Sequence, residues 1–199
     1  MDILEITGTA LGLLFLWLEY KASPWLWIPS IAMPAVYIPI FFSTRLYADL
    51  ALSVYYILAS IYGLICWLRH TGQDKSSGNT SGITETPKDR YIHLAAAGLL
   101  LNIAIGSALS SFTDSNTPWA DAFTTAWSIV AMYMLAKKYI QQWLLWIIVD
   151  IASAALYIYK DLNYTAALYT LYAIIATAGY MKWKQLMKKT PEKAWTKTQ

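Results

Sequence analysis

Apolar runs close to the length of a bilayer recur seven times along the chain, over residues 3–20, 25–43, 46–68, 91–112, 119–135, 143–159 and 164–183. A spanning helix needs about 20 mostly apolar residues, because hydrocarbon offers no water to an unpaired backbone amide. The pattern predicts an all-α integral membrane protein of seven transmembrane helices. The intervening KASP, STR, DSNTP, KKYIQQ and KDLN segments read as turns. Composition agrees: 57% of residues are hydrophobic and only 14% charged, where soluble domains carry about 25%. Fifteen Tyr and ten Trp suit interfacial belts or a stacking site. The single Cys66 excludes an intrachain disulfide. No basic patch of nucleic-acid character is visible, so nucleic acid is not an expected partner. Asp2 and Glu5 stand where a cleaved signal peptide would be positive, which predicts a first helix that stays in the membrane.

Residues 70–90, HTGQDKSSGNTSGITETPKDR, are rich in Gly, Ser and Thr without apolar periodicity and predict a flexible linker. Charge then fixes an orientation. With seven spans, one side of the membrane receives the first, third and fifth loops and the C-terminus, and with them 13 of the 15 Lys and Arg residues. The other side holds only Arg45 and Lys160. Cytoplasmic loops collect Lys and Arg, so the N-terminus is expected outside and the C-terminus in the cytoplasm.

The chain also repeats itself. Leu52, Tyr56, Gly63 and Trp67 return as Leu168, Tyr172, Gly179 and Trp183 at a constant separation of 116 residues. The second and sixth runs match more loosely. Tyr37 follows Trp27 by ten residues, and Tyr157 follows Trp146 by eleven, which pairs Trp27 with Trp146. The expected organisation is a first three-helix repeat (1–69), the linker (70–90), an adaptor helix (91–112), a second repeat (119–184) and a Lys-rich cytoplasmic tail (185–199). One inserted span makes the two repeats parallel, a 3+1+3 arrangement whose substrate site is expected near midplane at the repeat interface. The adaptor run lacks Trp and carries Ala95, Ala96, Ala97, Gly98, Gly106 and Ala108, small residues that allow close packing.

The sixth run raises a chemical question. Asp150 sits near its centre with no Lys, Arg or His within six residues. Such a residue costs about 2.5–3.5 kcal/mol on insertion scales and, inside a membrane, marks function or a bonded buried acid. Trp146, Asp150, Ser153 and Tyr157 share one helical face. Aromatic rings flanking a carboxylate suit a flat organic cation. Tyr37, Tyr55, Tyr56, Trp127, Ser128 and Tyr169 are further inward candidates. Arg45, Asp49 and Lys160, nearer the outer face, are expected to line an entrance or meet headgroups. Pro29, Pro34 and Pro39 predict a bent second helix, and Gly8 with Gly12 a packing contact. No catalytic constellation, metal-ligand spacing or phosphate loop appears, so neither an enzyme nor a cofactor is expected.

The stretches WLLWIIVDIASAALYIYKDLNYTAALYTLYAIIATAGYMKWK, EITGTALGLLFLWLEYKASPWLWIPSIAMPAVYI and RLYADLALSVYYILASIYGLICW resemble PnuC-type vitamin transporters over nearly the whole chain. The resemblance implies a seven-helix 3+1+3 fold like that of the SWEET sugar transporters. It implies passage of nicotinamide riboside, or in some branches thiamine or riboflavin, through the bacterial inner membrane. It further implies facilitated diffusion, with a cytoplasmic kinase trapping the product by phosphorylation. The family's WxxWxxV-polar element and its Tyr map onto Trp143, Trp146, Asp150 and Tyr157. Nicotinamide riboside transporters typically carry Asn where this chain has Asp150. Nicotinamide riboside and thiamine are both flat cations compatible with an acid; family frequency favours the first, and the Asp leans to the second. An ion-coupled transporter and a non-transporting assembly or sensor subunit are the rival readings, and a homo-oligomer is compatible with the sequence.

Overall fold

The computed structural model describes residues 3–43, 47–73 and 82–188. Among these, seven α-helices account for nearly all of the chain: α1 (Ile3–Tyr20), α2 (Trp27–Ser43, entered through a 3-10 turn at Pro24–Leu26), α3 (Tyr47–Gln73), α4 (Lys88–Phe112), α5 (Pro118–Ala136), α6 (Gln142–Tyr159) and α7 (Asn163–Lys188). Each coincides with one apolar run. Three stretches, in α3, α4 and α6, meet both the length and the apolarity of a membrane crossing among the described residues. Large apolar side chains stand exposed around the helices, among them Leu58, Ile92, Leu100, Ile148 and Ile174. Facing water, so much exposed aliphatic surface would be untenable. Arg45, the linker centre 74–81 and the tail from residue 189 lie outside the described residues, as do the side chain of Asp49 and the packing surroundings of Gly8.

The chain divides into two compact units, one holding α1, α2 and α3, the other running from Ile83 to Gln185. In the first, Trp27 is fully buried and Trp67 nearly so, their rings edge to face at 5.7 Å and 89°. Trp27 covers Gly63 so closely that a Cβ there would have no room. The second unit builds the same lock 116 residues later. Trp143 and Trp183 meet edge to face at 5.6 Å and 88°, and a Cβ on Gly179 would fall 2.6 Å from the Trp143 ring. Two helices approach this closely only where one of them lacks a side chain.

The correspondence continues through the preceding turns. Ala22 closes α1 in the left-handed conformation (φ 51°), and Lys138 closes α5 in the same way (φ 55°). Ser23 N–H donates to the Leu18 carbonyl and Ala22 N–H to that of Glu19; Tyr139 and Lys138 donate to Met134 and Leu135. Each is a Schellman closure on a residue other than glycine, at positions 116 apart. This corrects the pairing of the second and sixth runs: the counterpart of Trp27 is Trp143, not Trp146. Trp-rich strings leave the register ambiguous by one turn, whereas the closures fix it by hydrogen bonds.

In the second unit α4 packs on α5. Gly98 lies under Trp127 and Gly106 under Trp119, with 2.8 and 2.5 Å to the nearest ring atom from a hypothetical Cβ. The two glycines do the close packing expected of this helix, while Ala95, Ala96, Ala97 and Ala108 remain exposed. The stretch read as linker is shorter than its composition suggested. Residues 70–73 complete α3, and residues 82–87 are pinned to the α5–α6 loop. There Thr84 N–H donates to the Lys138 carbonyl (3.1 Å) and Ile140 N–H to the Thr84 carbonyl (2.9 Å). Thr86 donates through both its N–H and its hydroxyl to Gln141 Oε1 (2.8 and 2.9 Å).

Candidate functional site

Asp150 is the ninth of the eighteen residues of α6 and is 6% exposed. At 1.5 Å per residue it lies about 12 Å from either end of the helix. Among the described residues no hydrogen-bond donor and no cation is seated on its carboxylate. Trp146, one turn earlier on the same face, has its indole Nε1 buried without a partner. Ser153, the next turn onward, is also buried. A buried carboxylate and a buried indole N–H left open on one face are costly; a ligand carrying positive charge and an acceptor would relieve both.

Toward the C-terminal end of α6, tyrosines of α6 and α7 meet one another. Tyr157 stacks on Tyr169 at 5.2 Å and 21°, and Tyr169 meets Tyr172 edge to face at 5.7 Å and 69°. Tyr172 lies within electrostatic reach of Asp150. Tyr157, Tyr169 and Tyr172 thus form a ladder of rings across α6 and α7. Sequence reasoning placed Trp146, Asp150, Tyr157 and Tyr169 here but omitted Tyr172. The repeat already held the signal, since Tyr172 answers Tyr56 at the 116-residue separation.

The other candidates fall elsewhere. Trp127 spends its ring on Gly98 and on Phe123 (6.2 Å, 51°). The Ser128 hydroxyl donates to the carbonyl of Thr124 in its own helix at 2.7 Å. Both serve the packing of the second unit. Tyr37, Tyr55 and Tyr56 belong to the first unit, where Tyr55 and Tyr56 are tilted neighbours at 5.6 Å and 59° and Tyr37 is half-buried on α2. Lys160 is not a free headgroup ligand. It pairs with Asp121 Oδ1 at 2.7 Å, while Ser115 and Thr117 donate to Oδ2 at 2.9 and 3.1 Å. This polar knot ties the turn after α6 to the start of α5.

Apolar helices with large aliphatic side chains exposed around them, and a buried carboxylate at the centre of one, define a multi-pass membrane protein. The chain belongs to the nicotinamide mononucleotide transporter family, whose profile matches residues 2–185. It is 23% identical over 201 residues to the nicotinamide riboside transporter PnuC of Escherichia coli, covering 90% of this chain and 84% of that protein. It is 26% identical over 181 residues to the riboflavin/roseoflavin transporter RibM of Streptomyces davaonensis, covering 90% and 83%. Among solved structures, the crystal structure of the vitamin B3 transporter PnuC superposes with a TM-score of 0.70 at 21% identity, covering 94% of this chain and 83% of that one. The fold is thus that of a known vitamin transporter.

Proposed function

We propose that the chain carries a flat, cationic vitamin, nicotinamide riboside first, into the cell by facilitated diffusion. Asp150 holds the positive charge or the ribose hydroxyls. Trp146 stacks the heterocycle and offers its N–H, and Tyr157, Tyr169 and Tyr172 wall the outer side. Tyr37, Tyr55 and Tyr56 are the contribution of the first unit. The observation that carries this reading is the buried Asp150 with no partner, aligned with an open indole and a tyrosine ladder. Among the described residues no cluster of Arg or Lys stands beside it to hold a phosphate, which supports an unphosphorylated substrate that a cytoplasmic kinase traps after entry. The helices adopt the 3+1+3 arrangement, with parallel three-helix repeats and α4 as the reversing span. The protein sits in the bacterial inner membrane, N-terminus outside and C-terminus in the cytoplasm.

Thiamine is the second reading, favoured by the carboxylate at position 150, which suits a permanent cation without requiring a sugar. Neutral riboflavin makes the poorest use of that carboxylate. Uptake into vesicles reconstituted without any ion gradient tests the transport mode. Accumulation to equilibrium and no further supports passive passage; strict dependence on a proton or sodium gradient contradicts it.

A further inference from the structure

Proline at position i removes the N–H that would serve the carbonyl of residue i−4. In α2, Pro34 lies inside the helix and so leaves the Ser30 carbonyl without its helical donor. The neighbouring α3 answers this gap. Ser60, fully buried, donates its hydroxyl to the Ser30 carbonyl across the helix pair, in a long bond of 3.4 Å. The second unit supplies an internal control. The counterparts at 116 residues are Asp150 for Pro34 and Ala176 for Ser60. Where residue 150 keeps its N–H, the facing position is an equally buried alanine (2% exposed) with no hydroxyl to give. Proline and serine thus occur together at these two positions in one unit, and neither occurs at the counterpart positions of the other.

We propose that α2 flexes at Pro34 and that Ser60 is the latch of this joint, a side-chain donor standing in for the missing amide. The Trp27–Gly63 lock holds the inner ends of α2 and α3 together, so bending is confined to the part of α2 beyond Ser30. A side-chain hydroxyl can release and remake its bond by rotating, whereas an intrahelical amide opens only by unwinding the helix. The joint occupies the position within its own unit that corresponds, 116 residues on, to Asp150 in the second. The joint goes beyond the vitamin assignment and rests on it only for its consequence in transport.

A double-mutant cycle in purified protein tests the latch without reference to any substrate. Hydrogen exchange of the α2 amides is followed in wild type, S60A, P34A and the double variant. S60A is expected to speed exchange beyond Ser30 by about tenfold, the worth of one hydrogen bond, and P34A to slow it. In the P34A background S60A should change nothing, because residue 34 then supplies the amide. An S60A effect of equal size in both backgrounds overturns the latch. So does P34A exchange as fast as wild type. In vesicles, P34A should slow substrate exchange several-fold at unchanged affinity; exchange at the wild-type rate removes the joint from the transport step. If wild type moves no vitamin, the function fails while the amide cycle still decides the joint.

Discussion

At the scale of single residues, an acid and an indole on one helix face have no protein partner, and the tyrosines around them already have each other. Tyr157 and Tyr169 spend their faces in a stack, while Tyr172 meets that stack only by its edge, and on the proposed reading its hydroxyl is the group of the ladder that contacts the ligand. Replacing Tyr172 by Phe keeps the ring and removes only that hydroxyl. Binding of the transported vitamin should weaken about fivefold, the worth of one neutral hydrogen bond, with the melting temperature nearly unchanged. Unchanged affinity in a titration would show that the hydroxyl does not touch the ligand. The burial of Asp150 and its shared face with Trp146 were legible in the sequence because a charge in an apolar run is rare and helical spacing fixes a face. The packing of Trp127, expected as an inward candidate, was not, because spacing alone cannot separate a ring facing a ligand from one facing a glycine on the next helix. Gly98, 29 residues away, is what decides it.

At the scale of elements, tryptophan set into glycine is the recurring device, twice between equivalent helices and twice between α4 and α5. Each lock brings two backbones close and fills the gap with one large ring. Because the Trp143 ring has no space to retreat, Gly179→Ala should destabilise the protein by about 1–3 kcal/mol, the usual cost of overpacking. A thermal melt checks this, and a variant as stable as the parent would mean the pair can spread without cost. All seven helices could be read from apolar length. Their ends could not be, where hydrogen bonding overrides composition. The polar look of residues 82–87, GITETP, gave no hint that Thr84 and Thr86 would bond to the α5–α6 loop, since the partners Lys138, Ile140 and Gln141 lie more than 50 residues further on.

At the scale of the whole molecule, the chain has two units that share a turn, a tryptophan lock and a 116-residue register, yet differ where chemistry is done. The shared parts set the geometry of each helix pair. The differing parts, Pro34 with Ser60 against Asp150 with Ala176, separate a bending element from a recognising one. The sequence showed the repeat at four positions, but only the paired helix closures at Ala22 and Lys138 aligned the acid with the proline. The central claim is that the Asp150 carboxylate meets a cationic vitamin. Calorimetric titration of the purified protein with nicotinamide riboside, thiamine and riboflavin, beside the Asp150→Asn variant, tests it most directly. The account predicts that one of the two cations binds tighter than riboflavin, and that Asp150→Asn weakens that cation by about tenfold or more, as expected for loss of a charged partner. Tighter binding of neutral riboflavin, or a cation held equally well by Asp150→Asn, would contradict it.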